Sequence, residues 1–239
     1  MNKNYYGVDG CKSGWCCASY IEGKININLF SSIEELTSSI NSKFKIWIDI
    51  PIGLGSINKP RTIDQLLRSH LTSFKQSVFN SPTRKAVYAN SYSEAKELNI
   101  AETTKSLSIQ SWNITPKIKD LDTYLLNNKS QIDYFEESHP ELCFKQLNNG
   151  LDLKFSKHKK DGIEERLYIL KMHETAIYET FNSTLKKYSR KLISKDDILD
   201  SLGLLISQKV KRKTNYLSAD IITDEEKIPM RIAYPSIKK

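Results

Sequence analysis

The chain has 239 residues, 39% hydrophobic and 27% charged, with a formal net charge of +8. That length allows one large domain or two small ones, either burying a substantial core. No apolar run approaches the roughly 20 residues that span a bilayer, and the opening MNKNYYGVDG lacks the apolar stretch of a signal peptide, so a cytoplasmic location is expected.

In chain order, YYGVDG alternates and places Tyr5, Gly7 and Asp9 on one face. GWCCASYI is a second apolar run, and KININLF sets Ile25, Ile27 and Leu29 opposite Asn26 and Asn28. These segments predict an antiparallel meander of three short strands. SSIEELTSSI predicts a helix with a Ser31 to Glu34 capping pattern, and FKIWIDIPI reads as a strand covered on both faces. From about 55 to 130 the character changes. RTIDQLLRSHL carries Ile63, Leu66, Leu67 and Leu71 at helical spacing, SYSEAKEL opens with a capping box from Ser91 to Glu94, and SVFNSPTRKAVYAN has no clear period. The expectation is a single domain over 1–239 with a mostly helical insertion and a long ordered loop, a frequent carrier of binding groups.

A strand is predicted to return at QIDYFEESHPELCF, followed by a turn at LNNG. GIEERLYILKMHETAIYETF and SKDDILDSLGLLISQKVKRK read as two helices, the second closed by a basic tail. LSADIITDEEKIPMRIAYP reads as a terminal hairpin or pair of short strands. Cys11, Cys16, Cys17 and Cys143 lack C-x-x-C spacing and are expected as reduced, packed thiols.

Four segments place a carboxylate at the end of an apolar element: Asp9, Asp49, Glu136 or Glu137, and the group Asp196, Asp197 and Asp200. If the strands share one sheet these ends converge, and a hard divalent cation would offset their repulsion. Each acid also has an ordinary reading. Asp9-Gly10 is a common turn dipeptide, Asp49 ahead of Ile50-Pro51 would end its strand by accepting backbone bonds, and Glu136, Glu137 and Glu141 would be solvated charges. Ser194 and Asp197 form a capping arrangement, which accounts for Asp196 and Asp197 but not for Asp200, set in a helix apolar nearly all round.

The stretches GVDGCKSGW, IDIPIGL, RTIDQLLR, VFNSPTR, QSWNITPKIKDLD, EESHPELCF, DDILDSL and IPMRIAYP, in that order, resemble domain-of-unknown-function family 429, regarded as predicted nucleases of ribonuclease H-like fold. The resemblance spans nearly the whole chain. It implies an α/β fold, a ribonuclease H-like mixed sheet of three antiparallel and two parallel strands flanked by helices, with the helical insertion and C-terminal hairpin added. It maps acidic roles onto Asp9, Asp49, Asp197 and Asp200, with Glu137 a further candidate. Ser201 stands where alanine is expected.

The function expected from this set is hydrolysis of nucleic-acid phosphodiester bonds, with Asp9, Asp49, Asp197 and Asp200 holding two Mg2+ or Mn2+ ions and Glu137 nearby. His139 is a candidate proton shuttle or a structural hydrogen-bonder. Arg84, Lys85, Lys117, Lys157 and the KVKRK tail would meet phosphates, with Tyr88 and Trp112 available to stack on bases or to pack in the core. Two other classes compete. One is a non-catalytic nucleic-acid or protein-binding module on the same fold. The other is an actin-like ATP-dependent phosphotransferase, for which the second phosphate hairpin and the adenosine motif are missing from the sequence.

Overall fold

The computed structural model describes residues 4–40 and 44–237. These divide into two compact units, the first made of residues 1–50, 133–215 and 233–239 and the second of 51–132 and 216–232. Among the described residues, no helix is long and apolar enough to cross a membrane.

The first unit is built on the predicted meander. Strands β1 (Tyr5–Cys11), β2 (Gly14–Ile21) and β3 (Lys24–Phe30) pair antiparallel, with Asp9 opposite Cys16 and Cys16 opposite Leu29. Helix α1 (Ile33–Ser38) follows, capped by Ser32 rather than Ser31: the Ser32 hydroxyl accepts from the Glu35 N–H at 3.1 Å. Burial of Ile33 and Leu36 sets this later phase, and Ser31 instead donates through its backbone N–H and hydroxyl to the Glu35 carboxylate. Strand β4 (Ile46–Ile48) runs parallel to β1 and is fully buried, which explains its unbroken apolar sequence.

The insertion, joined by residues 216–232, forms the second unit. Its helices are α2 (Ile63–His70), α3 (Arg84–Val87), α4 (Tyr92–Thr103), α5 (Ile109–Asn113) and α6 (Thr115–Asn127). Ser91 caps α4 as expected, accepting from Glu94 N–H at 3.2 Å. Ala86, Ala95 and Leu107 make a small core against which Tyr92 and Trp112 pack. Arg84 joins distant parts of this unit, with Nη2 at 2.7 Å from Asp122 and 2.8 Å from Asp224, both carboxylates buried.

Back in the first unit, the strand expected over 131–144 shortens to β5 (Phe135–Glu137), parallel to β4. Pro140 opens helix α7 (Pro140–Leu147), because proline has no N–H to lose in a first turn and its φ is already helical. Glu136 and Glu141 are therefore buried, not solvated: Glu136 pairs with Lys45 at 2.7 Å, and Glu141 takes a two-pronged bond from the fully buried Arg166 at 2.7 and 2.9 Å. Glu137 is buried as well. The single helix expected over 162–181 is two, α8 (Lys160–Lys171) and α9 (Ile177–Lys187). The break is pinned by His173, whose Nε2 lies 3.0 Å from the Leu147 carbonyl.

Helix α10 (Lys195–Val210) organises this unit. A full capping box starts it: Ser194 Oγ accepts from Asp197 N–H, and Asp197 Oδ2 accepts from Ser194 N–H at 2.8 Å. From Ile198 to Gln208 it is buried without interruption, each large aliphatic side chain contributing about 1.5–3 kcal/mol. It packs on β1, where Gly7 lets the backbones touch: a Cβ there would lie 2.2 Å from the Ser201 carbonyl oxygen. Strands β6 (Lys213–Tyr216) and β7 (Ala233–Ser236) close the chain as a separate two-stranded sheet. The main sheet has the order β3-β2-β1-β4-β5, with the three antiparallel and two parallel strands that the resemblance implies.

Candidate acidic site

The two parallel pairings fix where the strand-end acids emerge. Asp9 lies on β1, on the face that Gly7 brings against α10, and Asp49 follows β4 directly, its N–H donating to the Val8 carbonyl at 3.0 Å. Glu137 ends β5 opposite Ile48. Asp200 lies two residues into the buried part of α10 and is 2% exposed.

These groups feel one another. Burial first, then the charges of Asp200, Asp49 and Asp197, push the Asp9 carboxyl well above the usual carboxylate range, with Lys157 opposing. Burial and the charge of Asp200, with smaller contributions from Glu137 and Glu141, raise Asp49 to about 8, again opposed by Lys157. Asp9 and Asp49 are ringed by protein yet keep part of their surface in contact with solvent. The site is therefore a crevice rather than a sealed cavity.

Its positive charge comes from Lys157, in the loop before α8. Nζ lies 2.5 Å from Asp200 Oδ2, and the side chain is a quarter exposed. Burial works against the ammonium, but Asp200, Asp9 and Asp49 hold it firmly protonated. The other oxygen of the same carboxylate, Asp200 Oδ1, is buried with no hydrogen-bond partner. A buried charged oxygen without a donor is costly, which makes it the natural contact for a further cation.

The donor chemistry suits a hard divalent ion: every candidate ligand is a carboxylate oxygen. As arranged, however, no three His, Cys, Asp or Glu side chains among the described residues close on a common point. Lys157 already supplies one positive charge at Asp200 Oδ2, which leaves Oδ1 as the oxygen of that carboxylate free for a second cation.

The remaining predicted residues separate. Asp197 is committed to its capping box but adds its charge to Asp9. His139 is the N-cap residue of α7. Arg84, expected at phosphates, bridges Asp122 and Asp224 and is 20% exposed, and Lys85 pairs with Glu102 at 3.0 Å while staying 66% exposed. Lys117 is half-buried on α6. In the basic tail, Lys209 binds Glu174 and covers Tyr20, and Lys211 sits over Tyr5 and Trp47. Tyr88 donates to Asp122 at 2.9 Å, and Trp112 packs in the insertion core. The four cysteines are buried and free, as expected. Ser201 has a local reason: its hydroxyl donates to Ile198 O at 3.0 Å and touches Cys16 Sγ at 3.3 Å beneath Asp9.

Sequence reasoning missed the Glu141–Arg166 pair and the role of Lys157 at Asp200. An arginine inside the apolar face of GIEERLYIL signals the first, since a buried guanidinium needs a carboxylate. No local signal marks the second. A family model described as "Protein of unknown function (DUF429)" matches residues 7–212. No curated protein and no solved structure matches the chain.

Proposed function

The chain belongs to DUF429, a family of proteins of unknown function, and we propose that this member is a metal-dependent nuclease of the cytoplasm that hydrolyses nucleic-acid phosphodiester bonds. The observation that carries this reading is Asp200 Oδ1, buried and without a partner beside Asp9 and Asp49. Asp9, Asp49 and Asp200 would hold Mg2+ or Mn2+, with Asp197 and Glu137 completing the negative field. A bound ion of this kind supplies a water of lowered pKa and neutralises charge on the phosphate; two ions, as expected of such a carboxylate set, would serve both the attacking and the leaving oxygen.

The chain's own residues do the rest. Asp9 and Asp49, partly open to solvent, offer acceptors that orient an attacking water. Lys157, on a loop, would present an ammonium to the anionic diester. The net charge of +8 favours approach of a polyanion.

The test is calorimetric titration of Mg2+ and Mn2+ into wild type and Asp200→Asn, with cleavage assays on single-stranded, duplex and hybrid nucleic acids. Binding and cleavage in the wild type, both lost in Asp200→Asn, support the proposal. Full metal affinity and activity in Asp200→Asn would remove Asp200 from the site. A second reading, a non-catalytic nucleic-acid or protein-binding module, is favoured by the Lys157–Asp200 pair, which already balances part of the charge. It predicts no cleavage, with at most one structural ion held by the acids.

A further inference from the structure

The insertion unit contains a cavity of about 440 Å3, walled by the loop leading into α2, the segment before α3, and the end of α4 with the loop after it. That volume lies in the range of small-molecule sites and exceeds the needs of a few waters. Its polar wall is already knitted together. Asp64 takes bonds from Arg61 Nε at 2.9 Å and Ser81 N–H at 2.8 Å; Asn99 accepts from Thr83 N–H and donates to the Lys105 carbonyl. Groups satisfied in this way hold the cavity's shape without an occupant, so the choice of ligand falls to whatever they leave over.

One strong group is left over. The side chain of Glu102, which lines the cavity, is only 6% exposed, and its Oε1 is paired to Lys85. Its Oε2 is buried with no hydrogen-bond partner. A carboxylate oxygen is an acceptor only, so the missing partner is a donor. The last torsion of a glutamate is soft, so this oxygen is free to turn toward a donor in the cavity. Arg61 is spent on Asp64 and on the carbonyls of Ile52 and Gly53, and Lys105, the other cation of the lining, is exposed. At the same wall Phe79 is 40% exposed, an unusual outlay of aromatic surface beside so polar a lining.

A part-exposed aromatic side chain and a carboxylate with one unsatisfied oxygen, lining one nearly neutral cavity of this volume, suit a flat ring bearing an amino group. We propose that the cavity in the insertion unit binds a nucleoside, its ring against Phe79 and its exocyclic amino group donating to Glu102. Adenosine and cytidine carry that donor, whereas uridine lacks it. The inference stands on the cavity alone and does not require the acidic site to bind metal or cut.

The experiment is saturation-transfer NMR and calorimetry on the full chain in excess chelator, with adenosine, cytidine, uridine and glucose as probes. Because no metal is present, the result is independent of the nuclease reading. Adenosine or cytidine should bind more tightly than uridine, Glu102→Gln should weaken that binding about tenfold or more, since a hydrogen bond to a charged acceptor is lost, and Phe79→Ala should weaken it too. Thermal unfolding checks that Glu102→Gln is folded; Phe79→Ala, altered at an exposed ring, provides an independent test if it is not. The proposal is overturned if neither amino nucleoside binds, if glucose or uridine binds equally well, or if the affinity survives both substitutions.

Discussion

At the scale of the residue, the decisive group is one lysine. Lys157, grouped in sequence with the phosphate contacts, sits on Asp200 and opposes the charges that raise Asp9 and Asp49. Removing one partner of a buried pair leaves the other uncompensated, typically at a cost of about 3–5 kcal/mol. Since Lys157 is a quarter exposed, Lys157→Met is expected to cost less, about 2 kcal/mol. Thermal unfolding in chelator should show this loss, and on the metal-binding proposal added Mn2+ should restore more stability to the variant than to wild type. A second expectation follows from Asp49, whose carboxyl is raised from 3.8 to about 8. The folded state then binds more protons than the unfolded chain. The stability so conferred is complete below the unfolded value and is lost as pH rises through the folded one. Without metal, the unfolding temperature should therefore fall between about pH 5 and pH 8, and Asp49→Asn should flatten that slope.

At the scale of the element, periodicity identified what was local. The three-strand meander, the buried β4, the capping box at Ser194 and the cap at Ser91 all follow from short apolar runs and alternation or from a hydroxyl three residues ahead of an acid. Boundaries were less legible. The stretch 131–144, read as one strand, holds a strand and a helix, and the stretch 162–181, read as one helix, holds two, because composition marks burial more clearly than where the backbone turns. Pro140 and the anchored His173 decide those turns. Close packing at this scale is open to a direct test at Gly7. Its Cβ would meet the backbone of α10 at 2.2 and 2.3 Å, where no side chain can yield, so Gly7→Ala should destabilise by about 3 kcal/mol in denaturant titration. Ser194→Ala should cost about 1 kcal/mol by the same measurement, and Ser194→Gly only a few tenths.

At the scale of the whole molecule, the chain's cations divide between structure and surface. Arg84, grouped in sequence with the phosphate contacts, is tied to Asp122 and Asp224 from remote parts of the insertion unit, and those acids hold its guanidinium charged despite burial. Arg84→Met should strip this unit of its main polar tie. Hydrogen exchange should then show faster exchange in residues 84–87, 115–127 and 216–232, with the five-stranded sheet unchanged. An equal loss of protection in β1 and β2 would contradict the division into two compact units.

By itself, the sequence determined the meander, the buried β4 and the buried α10 of the sheet unit, the helical character of the insertion, the reduced cysteines and the set of acids at element ends. All of these depend on neighbours a few positions away, which a linear pattern records. Only the tertiary structure decided that Asp9, Asp49 and Asp200 share one field, that Lys157 balances it, and that Glu102 keeps an unsatisfied oxygen beside a cavity. Electrostatics and hydrogen bonding act over a few ångströms of space, and residues separated by 40 to 190 positions come within that range only after the parallel pairings of β1, β4 and β5 and the seating of α10 on Gly7 have been made.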